Sequence, residues 1–337
     1  GMTDPITGLA IYPPNTNFPF TTECINNIVS TNSLGFHAKN YTLEKKPGVY
    51  RIVVLGHSFV EAVQVPVEQL FTEKLETKLN SRAEGYHYEV IPFAHAGNGP
   101  YLNLLYLLQY ALKFKPDLII NSLFSDTGVS YELGDRPQQS NFLPRLDERG
   151  DLILDLFNRP KTDIVTGIKN IMRKSRLENV LYKRLFLFLK YWSANIKFLI
   201  SSRLKPVTGS LPIAIVNPWV KEEKIFQKFI EVATENKAKF VTISLLDDER
   251  SFSSQELKEI AGYYRDIATY DIKDLHPVLS LFAKRYNFPY YNIHKLFEER
   301  RGSEPIGWSC NNHWNEHGHA VVADVLYDVL IRERLIP

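Results

Sequence analysis

A chain of 337 residues with an apolar share of 44%, a charged share of 23% and a formal net charge of +2 has the composition of a packed globular protein, which excludes a fibrous or disordered polymer. No stretch reaches the roughly 18 uninterrupted apolar residues of a membrane-spanning helix. Two cysteines in a chain this long make neither a disulfide scaffold nor a cysteine metal motif, and the spacing of Cys24 and Cys310 leaves a bridge and free thiols equally open.

The first fifty residues are rich in Pro, Asn and Thr and read as an extended arm over the surface of a domain that spans residues 51–337. Gly1 ahead of Met2 reads as a residue left by expression, and a signal or anchor upstream of it is left open. Arg51-Ile-Val-Val-Leu-Gly56 is a β-branched apolar run suited to a strand buried on both faces of a parallel sheet. A helix follows from about Val65 to Leu79, with Pro66 in its first turn, where a missing N–H costs little. Tyr88–Phe93 then predicts a second strand, Gly97-Asn-Gly99 a turn, Tyr101–Phe114 a helix and Pro116–Phe124 a third strand. Leu211–Val216 and Ala238–Leu245 read as two more strands separated by a helix at about Glu222–Glu235, and a last helix covers about Glu316–Arg332. Such alternation predicts an α/β fold of three layers, with a mainly parallel sheet between helices and right-handed crossovers.

One segment interrupts the rhythm. Between Phe157 and Lys205, 12 Lys and Arg stand against only Asp163 and Glu178, leaving about +10 there and about −8 elsewhere. Leu177, Leu181, Leu185, Phe188, Trp192, Ile196 and Leu199 recur at three- and four-residue steps, the pattern of one helix face. The reading is a basic helical insertion at about 157–205. Lys183, Arg184, Lys190 and Lys197 interleaved with Phe186, Tyr191, Trp192 and Phe198 suit an anionic membrane surface or an acidic polysaccharide, or equally a lid packed on its own domain. No nucleic-acid reading motif accompanies the charge, so nucleic acid is not expected as a partner.

Chemistry in an open parallel sheet gathers beyond the carboxyl ends of its strands, and three turns there carry suggestive residues. Leu55-Gly-His-Ser-Phe59 can expose the Ser58 hydroxyl in a tight turn, or can be a plain turn. Ala94-His-Ala-Gly-Asn-Gly99 can point backbone N–H groups into a cleft as oxyanion donors, or can simply need positive φ. Asn311-Asn-His-Trp-Asn-Glu-His-Gly-His319 holds three histidines, two of them at the i, i+4 spacing of helical metal ligands. Yet no carboxylate or cysteine motif elsewhere completes such a site, and a metal is not expected.

Taken together, Asn32-Ser-Leu-Gly-Phe36, Val53-Val-Leu-Gly-His-Ser-Phe59, the Gly97 turn, Pro116-Asp-Leu118 and His313-Trp-Asn-x-x-Gly-His319 resemble the SGNH (GDSL-like) hydrolases in order and spacing from about residue 30 to 330. The likeness extends to a secreted and periplasmic branch with a similar Asn-Ser-Leu-Gly-Phe arm, which favours an exported or envelope-associated protein. The resemblance implies Ser58 as nucleophile and His313 as general base. It implies an oxyanion hole from the N–H groups of Ser58 and Gly97 with a side-chain donor from the third block, and no cofactor. This chain departs from the pattern at three positions. His57 stands where the family has Asp, and an imidazole there is expected not to replace a carboxylate as acceptor; it reads as solvent-facing or turn-supporting, with an auxiliary proton-transfer role as the rival. Thr127, preceded by Asp126, stands where the family has its oxyanion Asn. Asn311 and Cys310 occupy the positions where the family's triad Asp lies.

Asn311 can orient the imidazole but cannot neutralise it when charged, and the corresponding change in a Ser-His-Asp triad costs about 10⁴ in rate. Asp126, Glu304 or another carboxylate could stand in for the missing one. The expected activity is serine-dependent hydrolysis of a small acyl or acetylated glycan ester through Ser58 and His313. The alternatives are a descendant that binds carbohydrate or lipid without catalysis, and an O-acetyltransferase of the same fold.

Overall fold

The computed structural model describes residues 1–82, 85–124, 144–147, 149–154, 218–245 and 277–337. The basic insertion at about 157–205, the strand expected at 211–216, and Asp126 and Thr127 lie outside the described residues.

The chain opens with two antiparallel strand pairs, β1 (Met2–Thr3) with β2 (Ala10–Ile11) and β3 (Asn17–Thr21) with β4 (Asn26–Ser30). Then come β5 (Val49–Gly56), the one-turn helix α1 (Ser58–Glu61), α2 (Phe71–Asn80), β6 (His87–Ala94), α3 (Pro100–Gln109) and β7 (Leu118–Leu123). A short antiparallel pair follows, β8 (Arg145–Leu146) with β9 (Leu152–Ile153). Beyond it lie α4 (Pro218–Glu235), β10 (Lys239–Ser244), α5 (Pro277–Tyr286), β11 (Tyr290–Asn292) and α6 (His294–Arg300). The hairpin β12 (Gly307–Trp308) and β13 (Asn311–Trp314) leads into α7 (Glu316–Arg332).

Five strands form one parallel sheet in the order β11-β10-β7-β5-β6. Side chains alternate along each strand, so each face of the sheet builds its own core. Val53, Leu55, Ile91 and Phe93 meet α3 and α4 on one face, through Leu104, Leu105, Phe226 and Phe229. Ile52, Val54, Val90 and Ile120 meet α2 and α7 on the other, through Leu75, Leu79, Val322 and Leu326. This is the three-layer α/β architecture expected from the sequence. The chain leaves β5 for β6 on one side and crosses back to β7 on the other, so the direction of winding reverses between β5 and β7. The crevice beyond the carboxyl ends of these two strands is where such sheets receive ligands.

Several elements differ from expectation, among them three near the site or at the sheet edge. The helix expected from Val65 begins at Phe71, because Pro66 and Leu70 are extended (ψ 160° and 141°) around a 3₁₀ turn at Val67–Gln69. Val65 and Leu70 are fully buried and pack with Ala62, a tertiary contact that overrides local helix preference. The next helix stops at Gln109 and passes into a 3₁₀ turn, Ala111–Phe114. The edge strand β11 was not foreseen, since three half-buried residues leave no apolar run to read.

The first fifty residues also do more than cross the surface. Leu9, Ile11, Ile25, Val29 and Phe36 are buried, and the arm's end is held by Arg51, a fully buried cation of β5. Its guanidinium donates to the carbonyls of Thr42, Leu43, Glu44 and Phe114 and pairs with Glu89 at 2.6 Å. A charge this deep is tolerated because its donors are satisfied.

Candidate active site

Ser58 stands two residues past the end of β5, the strand between β7 and β6, and opens α1. The turn is tight enough that a Cβ on Gly56 would lie 2.2 Å from Val60 Cγ2, so only glycine lets α1 fold back on the strand end. His313 comes from β13, 255 positions away in sequence. The fold brings the two together: His313 Nε2 lies 2.8 Å from Ser58 Oγ.

Asn311 settles the proton on the imidazole. Its Oδ1 accepts the backbone N–H of His313 at 3.0 Å, so the atom facing that loop is the amide oxygen. The same oxygen lies 2.6 Å from His313 Nδ1, which must therefore carry a hydrogen and donate. Nε2 is left with its lone pair toward Ser58, and the hydroxyl donates to it. The ring stacks on Phe59 with centroids 4.6 Å apart. Partial burial pushes the His313 pKa below the ordinary histidine range, which keeps the ring a neutral base at neutral pH. Burial is the one cause of that shift; no carboxylate among the described residues counters it. Glu304 instead faces His317 Nδ1 at 3.6 Å, so it does not stand in for the missing carboxylate.

His57 corrects an expectation. Its Nδ1 accepts the Phe59 N–H at 3.4 Å and caps α1, the acceptor role that an imidazole was not expected to fill. Nor does it face solvent. The ring is buried edge-on against Phe59 and Phe124. Burial lowers its pKa to about 4, opposed by a hydrogen bond to the Leu123 backbone and reinforced by His313. A neutral imidazole keeps one lone pair, and burial is what keeps it neutral.

Gly97 has the expected positive φ, 84°. Its turn is tied to the nucleophile's strand, since the His95 N–H donates to the Gly56 carbonyl at 3.3 Å and the Asn98 N–H to that of His95 at 3.0 Å. The three histidines of the last block separate. His317 Nε2 faces the Arg301 carbonyl at 2.9 Å, and His319 is buried with Nδ1 accepting the Phe71 N–H at 3.2 Å. Asn315 caps α7 through the Gly318 N–H, which is why a motif of polar residues opens that helix.

Sequence reasoning left the cysteines undecided. They form a disulfide, Cys24–Cys310, with Cα atoms 5.8 Å apart, tying the β3–β4 pair to the residue before Asn311. It also passed over Glu61 and Tyr12, described below; the one signal for Glu61 is a carboxylate amid the apolar run after the nucleophile.

No family model matches the chain, and no curated protein matches it. Among solved structures it is similar to TesA at 12% identity, with 85% of this chain and 99% of that one covered and a TM-score of 0.42. An acetyl xylan esterase is similar at 13% identity, 83% and 99% coverage and a TM-score of 0.42. A lipase/acylhydrolase from Enterococcus faecalis is similar at 13% identity, 86% and 98% coverage and a TM-score of 0.40.

Proposed function

We propose that the protein is a serine-dependent ester hydrolase acting on a small acyl or acetylated glycan ester. One observation carries the reading: the Ser58 hydroxyl is 2.8 Å from an imidazole nitrogen whose protonation Asn311 dictates. Ser58 Oγ attacks the acyl carbonyl while its proton moves to His313 Nε2. The carbonyl oxygen, now an oxyanion, is held by the N–H groups of Ser58 and Gly97, with the Thr127 hydroxyl as the third donor. Collapse of the tetrahedral intermediate expels the alcohol, which takes its proton from the imidazolium. Water then attacks the acyl-enzyme with His313 again as base and frees the acid. Asn311 holds the ring throughout but supplies no charge to the imidazolium, so turnover is expected to be slow.

That missing charge is also what favours the second reading, a cleft that binds carbohydrate or lipid without turning it over. A fluorophosphonate probe and p-nitrophenyl acetate separate the two. Labelling confined to Ser58, with ester cleavage lost in Ser58→Ala, supports the hydrolase. Absence of labelling together with saturable ligand binding supports the binder.

A further inference from the structure

Glu61 closes α1 three residues after Ser58 and is 3% exposed. A carboxyl this deep needs donors, and two lie close enough to favour its charged form, the Tyr12 hydroxyl from the N-terminal arm and the Ala96 N–H from the turn after β6, while Oε1 itself has no hydrogen-bond partner among the described residues. His95 completes the cluster. Its Nε2 lies 3.9 Å from Glu61 Oε1, its ring stacks on Tyr12 at 5.5 Å, and its Nδ1 meets the Ala96 carbonyl at 3.2 Å. A carbonyl only accepts, so Nδ1 is the donor there. The Ala96 carbonyl is thus held by His95, and its N–H faces Glu61. In a planar trans peptide the C=O and the following N–H point in opposite directions. Fixing the Ala96 carbonyl therefore aims the N–H of Gly97.

The arm motif Asn32-Ser-Leu-Gly-Phe36, which the proposed chemistry does not use, explains how Tyr12 is presented. Gly35 sits at φ +81°, and a Cβ there would lie 2.2 Å from the Tyr12 carbonyl. The Tyr12 N–H donates back to the Gly35 carbonyl at 2.9 Å. Asn32 Oδ1 accepts the N–H groups of Leu34 and Phe36, each at 3.0 Å, and Phe36 packs edge-on against Phe93 of β6. The motif therefore clamps Tyr12 above the turn that carries Gly97.

We propose that Glu61 is a positioning residue for the oxyanion turn, acting as the buried acceptor that joins the arm, through Tyr12, to the His95–Ala96 peptide, next to the Ala96–Gly97 peptide whose carbonyl His95 holds. This rests on the hydrolase reading for its kinetic consequence. Burial holds the carboxyl's pKa up, opposed by His95, the Tyr12 hydroxyl, the Ala96 N–H and His37. The amide oxygen of glutamine can accept in the same way, and leucine cannot.

The test compares Glu61→Leu, Glu61→Gln and Tyr12→Phe by ester kinetics, by the affinity of an aryl trifluoromethyl ketone and by deuterium exchange of peptides covering residues 93–99. Losing one oxyanion donor costs about 10²–10³ in rate. Glu61→Leu is accordingly expected to lower kcat about 10²-fold, with KM within about twofold. It should weaken the ketone, whose bound form carries an oxyanion, in proportion, and speed exchange across the turn. Glu61→Gln is expected to retain kcat within about threefold, with exchange unchanged. A folded Glu61→Leu protein with wild-type kcat and exchange overturns the proposal. So does a Glu61→Gln protein as impaired as Glu61→Leu. Should the leucine variant fail to fold, Tyr12→Phe decides: slower turnover and faster exchange support the clamp, and no change in either overturns it. If the wild type takes neither ester nor probe, the hydrolase reading falls alone, because exchange still reports whether Glu61 holds the turn.

Discussion

Ser58 and His313 are held by opposite means. The nucleophile stands at the end of β5, whose residues Ile52 to Leu55 are wholly buried between two cores, and its turn is locked by Gly56 and the His57 cap. The base stands on a half-buried hairpin at the rim of the domain, fixed by Asn311, by the Phe59 stack and by the Cys24–Cys310 bridge. Sheet packing positions one partner, and a few polar and covalent ties position the other. The base side is therefore where small changes can alter chemistry without unfolding the protein.

The largest effects should fall on the pair itself. Ser58→Ala is expected to reduce esterase turnover to background, a loss of at least about 10³-fold, with thermal unfolding within a few degrees of wild type; stopped-time assays with p-nitrophenyl acetate measure this. Next, Asn311 separates orientation from charge. Asn311→Ala frees the ring and should cost about 10²-fold in kcat. Asn311→Asp adds the missing carboxylate and should raise kcat at least about tenfold. The carboxylate stabilises imidazolium and raises the His313 pKa, so the acid limb of the kcat/KM profile should move to higher pH in that variant. In wild type the same limb should lie below the ordinary histidine value of 6.5, because burial disfavours the charged ring. Activity is then lost as pH falls and His313 takes up a proton.

A smaller effect tests the tie. Cys24→Ser with Cys310→Ser should lower stability by about 2–5 kcal/mol, as removing a native bridge commonly does. It should reduce kcat a few-fold while leaving the cap at His57 intact; chemical denaturation and ester kinetics read the two separately. Smallest at neutral pH is the contribution of His57. Its folded pKa of about 4 lies below the ordinary 6.5, so the unfolded chain binds the extra proton first. Stability is complete above pH 6.5 and declines as pH falls toward 4, by at most about 3 kcal/mol from this group. Unfolding midpoints measured across that range check the sign, and a protein more stable at pH 5 than at pH 7 would contradict it.

The two regions also differ in how far they could be read from the sequence. The β5 run, its Gly-His-Ser turn and α7 follow from patterns that local physics imposes: buried parallel strands are continuous apolar runs, and helices open on capping residues such as Asn315. The meeting of Ser58 and His313 was legible from the resemblance and not from the strand pattern, since His313 stands on β13, which pairs with β12 in a hairpin apart from the five-stranded sheet. The ties were not. Spacing does not reveal whether Cys24 and Cys310 bond, since 286 residues separate them and only the fold brings their Cα atoms together. Glu61 reads as an ordinary polar residue until Tyr12 is seen beside it. The reading of His57 as turn-supporting holds, since it caps α1, but its ability to accept was misjudged because residue type was weighed without burial, which decides its protonation.

The rate of fluorophosphonate labelling at Ser58, followed by peptide mass spectrometry as a function of pH in wild type and His313→Gln, probes the shared proton most directly. A rate that climbs with pH through one ionisation below 6.5 and collapses at least about 10²-fold in the variant is the predicted result. Labelling that is flat across that range, or equally fast without the imidazole, would show that the hydroxyl owes nothing to His313.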